Sequence, residues 1–249
     1  MIKKIAVVTG AGSGIGRDVT LRLTNDGYKV YMIGRRKELL NETAGLCVPG
    51  STIEVSLDVT DYQGLKDLAA TLDSVDVIVA SAGVCIHSPL DGEDSDEIWK
   101  KVMSINVDGV WYLFRAFSEK LSDGGKAVVV SSGLGKLGRA GYGAYTASKH
   151  AVLGLVKCFA KELSERKITV NAVCPGWVDT KMARSDLQKT ALENGTTPEK
   201  EYENAISSIP LKRFVQSDEV AALIQFLVSP VAAGITGQAY NISCGEFFA

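Results

Sequence analysis

Residues 9–16 read Thr9-Gly10-Ala11-Gly12-Ser13-Gly14-Ile15-Gly16; they follow the apolar run Ile5-Ala6-Val7-Val8 and lead directly into a stretch of helical periodicity. Glycine, lacking a Cβ, permits the tight turn from strand to helix and lets backbone N–H groups at the helix N-terminus reach a pyrophosphate. The order strand, glycine turn, helix therefore points to a dinucleotide site. The spacing is not Gly-x-Gly-x-x-Gly, because Ile15 and Arg17 stand at the would-be third positions. It is Thr-Gly-x-x-x-Gly-Ile-Gly, carried by Gly10, Gly14 and Gly16.

Outward from that turn, short β-branched runs at 4–9, 29–33, 52–57, 75–80, 126–131, 168–173 and 239–242 alternate with helical patterns at 14–26, 62–72, 94–121, 142–166 and 217–228. Runs such as Ala127-Val128-Val129-Val130 are apolar at every position, as expected of parallel strands covered on both faces. Right-handed crossovers then predict one α/β domain over 1–249. It is a doubly wound parallel sheet of about seven strands with helices on both faces, binding ligands outside the carboxyl ends of its strands. The polar segment 181–213, with Asn194-Gly195 and Pro198 as breakers, is longer than a βα loop requires and is read as a lid.

Composition narrows the partners. With 249 residues, 46% hydrophobic and 22% charged, the chain has ordinary globular usage and can bury a core. A formal charge of -2 offers no footprint for nucleic acid or an anionic membrane, so a polyanion partner is not expected. No apolar stretch approaches the roughly 18 residues of a membrane span, and the run 5–8 is too short for a signal peptide. The five cysteines are scattered without a C-x-x-C pair, which suits a reducing cytoplasm; with His87 and His150 lacking partners at ligand spacing, no metal site is expected.

An acid at the end of the second strand would accept the ribose 2′-hydroxyl of NAD(H). Gly34 stands there instead, followed by Arg35-Arg36, so a 2′-phosphate meets a guanidinium rather than a carboxylate. NADP(H) is favoured and NAD(H) is the alternative, since Ser13 leaves the glycine turn without a basic residue of its own.

Tyr145 and Lys149 lie one helical turn apart in Tyr145-Thr146-Ala147-Ser148-Lys149, hence on one face. A phenol needs its pKa shifted by about three units, roughly 4 kcal/mol, to shuttle protons at neutral pH. An ammonium about 4 Å away at an effective dielectric near 20 supplies about that much. Ser132 ends the fifth strand in Val129-Val130-Ser131-Ser132-Gly133, and Asn106 lies in the preceding helical pattern. Further landmarks are Asp58-Val59, Ala82-Gly83, the run Asn171-Ala172-Val173-Cys174-Pro175-Gly176-Trp177-Val178-Asp179-Thr180, and Ile235-Thr236-Gly237-Gln238.

In that order, across essentially the whole chain, these motifs resemble the short-chain dehydrogenase/reductase family, a Rossmann-type fold. The resemblance implies roles. Tyr145 donates a proton to a substrate carbonyl, Lys149 lowers the Tyr145 pKa and binds the nicotinamide ribose, Ser132 hydrogen-bonds the substrate oxygen, and Asn106 holds a water linking Lys149 to solvent. Gly10, Ser13, Gly14, Ile15 and Gly16 hold the phosphates, Arg35 the 2′-phosphate and Asp58 with Val59 the adenine. Ser81, Ala82 and Gly83 line the cofactor edge, and Pro175, Gly176, Val178 and Thr180 hold the carboxamide. Ser81 departs from the family's usual Asn-Asn-Ala-Gly, putting cofactor affinity or local rigidity in question. Leu134, Arg139, Tyr142 and Trp177 line the substrate side, while His87 is read as a loop residue near the cleft mouth and His150 as pointing elsewhere. The C-terminal half is similar to 3-oxoacyl thioester and polyketide ketoreductases, which implies a ketone–alcohol oxidoreductase and a homotetramer. An NAD-dependent small-alcohol, sugar or sterol dehydrogenase shares these motifs, and a non-catalytic dinucleotide sensor is the alternative of another class.

Overall fold

The structure, a computed structural model, describes residues 4–248. Its strands are β1 (Ile5–Thr9), β2 (Lys29–Gly34), β3 (Thr52–Ser56), β4 (Val75–Ala80), β5 (Leu121–Val130), β6 (Thr169–Pro175) and β7 (Ala239–Ile242). The helices are α1 (Gly14–Asn25), α2 (Lys37–Leu46), α3 (Tyr62–Ala70), α4 (Ser95–Met103), α5 (Gly109–Phe117), α6 (Gly143–Glu162), α7 (Lys181–Asn194), α8 (Pro198–Ser207) and α9 (Ser217–Val228). The strands form one parallel sheet in the order β3-β2-β1-β4-β5-β6-β7. Winding reverses between β1 and β4, and the crevice this leaves at the strands' carboxyl ends is where such sheets bind ligands.

Alternation along the strands feeds two cores. Ile78, Ala127 and Val129 face the layer built on α3, α5 and α6, whereas Val77, Val79 and Val128 face the layer built on α1, α2 and α9. These positions are almost completely buried, and each large aliphatic side chain so buried contributes about 2 kcal/mol. The central strands are thus the rigid platform from which the loops of the crevice project.

Two segments differ from the sequence reading. The stretch 94–121, expected as one helix, is interrupted by a π-helical turn at Ser104–Asp108 between α4 and α5, and Leu121 already opens β5. An extra residue in a helical turn leaves the apolar pattern on either side intact, so periodicity does not expose it. Gly109, at its end, lets α5 close on the loop after β3: a Cβ there would stand 2.7 Å from Val59 Cγ2. The segment 181–213 carries α7 and α8. Gly195, at φ +64°, terminates α7, and Thr197 caps α8 with Pro198 in its first turn, so the breakers mark a junction between helices.

Candidate active site

A cleft of about 1000 Å³ opens at the carboxyl ends of the strands, between the glycine turn and α7. Every site residue expected from the sequence lines it except Gly16 and Asn106, which stand behind its wall.

The glycine turn is built by close approach. Gly10 adopts φ +68°, and a Cβ on it would lie 2.9 Å from the Ala82 backbone; one on Gly16 would lie 2.4 Å from the Gly10 carbonyl oxygen. Thr9 Oγ1 accepts hydrogen bonds from the Ser81 and Ala82 N–H groups, both at 3.1 Å, which ties the loop after β4 to the end of β1. These are backbone contacts, so Ser81 in place of an asparagine does not loosen that connection. At the start of α1, Ser13 is extended and its side chain makes no cap, and the first turn, which lines the cleft, carries no acidic residue. A tight turn that only glycine can pack, below an uncapped helix start that lines the cleft, fits the pyrophosphate of a dinucleotide.

At the adenine end, Arg35 is largely exposed and its Nη1 lies 3.8 Å from Asp58 Oδ2. Asp58 is itself fixed by accepting from Thr60 N–H at 3.0 Å and Thr60 Oγ1 at 2.9 Å. At the opposite end, Thr180 caps α7 and its Cγ2 would touch a Cβ on Gly14 at 3.2 Å, so α7 begins against the glycine turn.

Tyr145 lies in the first turn of α6 and Lys149 one turn later. Lys149 Nζ donates to the Val130 carbonyl at 2.9 Å and stands 5.6 Å from the centre of the Tyr145 ring. Burial lowers its pKa to about 8. Burial also raises the Tyr145 pKa, Cys85 adds to this, and only a hydrogen bond with Ser132 pulls the other way. The expected lowering of the Tyr145 pKa by Lys149 is therefore corrected for the protein alone: the phenol is enclosed, the ammonium is directed at Val130, and desolvation dominates both groups. Ser132 caps a 3₁₀ turn after β5, its Oγ accepting from Leu134 N–H at 3.1 Å.

Asn106 sits inside the π-helical turn, almost fully buried. Its amide donates to the Val84 carbonyl at 2.9 Å and to Ser148 Oγ at 3.0 Å, while Oδ1 accepts from Val84 N–H at 2.8 Å. It clasps the chain just beyond Gly83, where a Cβ would lie 3.2 Å from Asn106 Oδ1 and 3.5 Å from Lys149 Nζ. The side chain thus positions the β4 loop against α6.

On the substrate side, Leu134, Tyr142 and Trp177 share the cleft. Tyr142 donates to Asp186 of α7 at 2.7 Å, and Trp177 stacks on Phe214 at 5.1 Å. His87 stands at the mouth, 3.8 Å from Glu193, and His150 is exposed, bonded to the Thr146 carbonyl at 3.0 Å. Sequence reasoning passed over Cys85, Asp186, Glu246 and Phe247, all of which line the cleft. Burial pushes the Cys85 thiol up to about 12. Glu246 accepts from Trp177 N–H at 3.2 Å, and the Phe247 ring would meet a Cβ on Gly133 at 2.4 Å. A C-terminal tail folding back onto β5 and β6 is a long-range contact with no local signature; Asp186 was visible only as one polar residue among many. Among the described residues, no group of three or more His, Cys, Asp or Glu side chains is placed to hold a metal, and no helix is long and apolar enough to cross a membrane.

The family model described as "Enoyl-(Acyl carrier protein) reductase" matches residues 10–246. The chain belongs to the short-chain dehydrogenase/reductase family. It is an oxidoreductase of that family, which binds NAD(P)(H). A 3-oxoacyl-acyl-carrier-protein reductase FabG of Thermotoga maritima is 35% identical over 252 residues, covering 97% of both chains. An acetoacetyl-CoA reductase of Rhizobium meliloti is 32% identical over 258 residues, covering 100% of both. Among solved short-chain dehydrogenase/reductase structures, an actinorhodin polyketide ketoreductase variant with NADPH superposes with a TM-score of 0.89 at 33% identity, covering 98% of this chain and 97% of that one.

Proposed function

We propose that the protein is an NADP(H)-dependent ketoreductase, interconverting a ketone and a secondary alcohol, with 3-oxoacyl thioesters or polyketides as its substrate class. The observation that carries this reading is that Tyr145, Lys149 and Ser132 line the same cleft as the glycine turn. Bound NADPH supplies the hydride in reduction, and NADP⁺ accepts it in oxidation. Tyr145, kept protonated by its burial, donates its phenolic proton to the carbonyl oxygen, and as phenolate takes it back in the reverse direction. Ser132 hydrogen-bonds the same oxygen, polarising the carbonyl for attack. Lys149 stabilises the phenolate and binds the nicotinamide ribose. Asn106 holds the β4 loop in register beside Lys149, where a water relays protons outward.

In the same reading the first-turn amides from Ser13 to Gly16 take the pyrophosphate, Asp58 and Val59 take the adenine, Ser81 to Gly83 line the cofactor edge, and Pro175, Gly176, Val178 and Thr180 take the carboxamide. The segment 181–213, with α7 and α8, acts as the lid. The relatives named as reductases of acyl thioesters support the substrate class. The test is NADPH and NADH oxidation with a panel of ketones including acetoacetyl-CoA. Thioester reduction with NADPH is the expected result; preference for NAD⁺ and a polyol would reassign the protein as a sugar dehydrogenase, and no turnover with any ketone would leave a dinucleotide-binding protein.

Arg35 carries the preference for NADP(H), because its guanidinium is exposed and its pairing with Asp58 is loose. Arg35→Asp is expected to lower the NADPH:NADH ratio of kcat/KM by about ten- to a hundredfold, through loss of one charge-assisted bond and gain of a repelling carboxylate. A ratio unchanged in that variant would move the 2′-phosphate contact elsewhere. A homotetramer is part of the same proposal: Trp99 on α4 and Trp111 on α5 stand nearly half exposed, which suits burial between copies. Sedimentation is expected to find four-chain particles, and monomers alone would refute it.

A further inference from the structure

Arg139 lines the cleft from the segment between Ser132 and Tyr145, together with both of those residues. Its guanidinium stands 4.5 Å from the centre of the Tyr142 ring and 5.0 Å from that of Trp177. Both rings are held by other elements: Tyr142 by Asp186 of α7 at 2.7 Å, and Trp177 by Phe214 at 5.1 Å and 11° between planes. The cation is therefore positioned by aromatic contacts from two loops rather than swinging free as most exposed arginines do. Among the described residues no carboxylate is paired with it and no carbonyl accepts from it, so its five N–H donors are unused. Lys189 of α7 adds a second positive charge beside it. The nearby acids each have another partner, Asp186 in Tyr142, Glu246 in the Trp177 N–H and Glu193 in His87, and of these Glu246 also feels the charge of Arg139 without forming an ion pair with it. Arg139, Lys149 and Cys85 all line this one cleft.

We propose that Arg139 is the anchor for an oxyanion of the substrate, a carboxylate or a phosphate, and that the preferred substrate is an anionic ketone. This rests on the ketoreductase reading and adds the charge of the molecule reduced. A planar guanidinium presents paired donors that match two oxygens of one carboxylate or phosphate, and an ammonium does not reproduce that fork. Held at Arg139 in the cleft that Tyr145 also lines, such an anion would orient the ketone toward the phenol.

The test compares acetoacetate, its neutral ethyl ester and acetoacetyl-CoA as substrates of wild type, Arg139→Gln and Arg139→Lys with NADPH. In Arg139→Gln, the kcat/KM of an anionic substrate relative to the ester is expected to fall about ten- to a hundredfold, the effect of losing hydrogen bonds to a charged group. Arg139→Lys should recover only part of that loss. A fall confined to acetoacetate identifies the carboxylate as the anion, and one confined to acetoacetyl-CoA identifies the phosphates; either supports the assignment. Ratios changing by less than about twofold for both anions, as for an ordinary surface substitution, would overturn it. Should wild type reduce none of the three, the ketoreductase reading fails, and the anion seat is judged separately by calorimetric titration of malonate and of coenzyme A into the NADPH-loaded protein. Binding that Arg139→Gln abolishes upholds the seat; absence of binding by both, or binding unaltered in the variant, rejects it.

Discussion

Tyr145→Phe is expected to bind NADPH as wild type does and to lose about a hundred- to ten-thousandfold in kcat for ketone reduction, the range a positioned general acid contributes. Phenylalanine keeps the ring in its enclosed place and removes one hydroxyl, so the fold has little reason to respond. No neighbour replaces the missing proton source. The Ser132 hydroxyl is an intrinsically weak acid, Lys149 is directed at the Val130 carbonyl, and burial makes the Cys85 thiol a poor donor at about 12. Coenzyme fluorescence titration and single-turnover kinetics measure the two quantities independently. A variant retaining more than about a tenth of wild-type kcat would remove Tyr145 from the proton-transfer step.

Lys149→Met is expected to be similarly inactive but to report a second property, the cost of the buried ammonium. The folded-state pKa near 8 lies below the unfolded value near 10.5, so the charged side chain opposes folding. That penalty is fully present below pH 8. Between pH 8 and 10.5 the unfolded chain binds more protons than the native one, so wild-type stability from this group rises with pH across that window. The size of the rise is about 3 kcal/mol, since one pKa unit is about 1.4 kcal/mol. Denaturant midpoints of wild type measured against Lys149→Met should therefore shift in favour of wild type between pH 8 and 10.5, because methionine carries no titrating proton. At neutral pH the two should be closer than the penalty alone suggests, as methionine leaves the Val130 carbonyl without its donor. The same titration bears on turnover: kcat/KM for reduction is expected to be level below pH 8 and to decline above it as the ammonium is lost. A stability difference flat across pH 8 to 10.5 would show that Lys149 is not desolvated as the structure implies.

Legibility from the sequence followed the range of each contact. The glycine turn, the doubly wound sheet and the Tyr145–Lys149 pair are local patterns, repeated by period or spacing within one turn or one strand, and these were readable. The π-helical turn around Asn106 was not, because one added residue leaves the flanking apolar positions on the same face. The two helices of 181–213 were hidden by polarity: few of their residues are buried, so the usual amphipathic signal is weak. Glu246 and Phe247 reach the cleft only after the last strand has docked beside β6, a placement that depends on the completed sheet. Lys149 shows a further limit. Spacing predicts that it shares a face with Tyr145, but which effect wins, charge attraction or loss of water, depends on how completely the surroundings enclose both groups.

The bond from Thr9 to the amides of Ser81 and Ala82 orders events in the growing chain. When synthesis has passed only β3, the glycine turn exists in sequence but the strand that braces it is not yet made. Coenzyme can be held only once β4 has slotted in beside β1, skipping over the two strands made between them. A fragment ending before residue 80 thus carries the whole glycine signature and the bonds from Gly10 and Ala11 to the Ile33 carbonyl, but not the brace from the loop after β4. For this protein the motif and the competence to bind are separated by some seventy residues of translation.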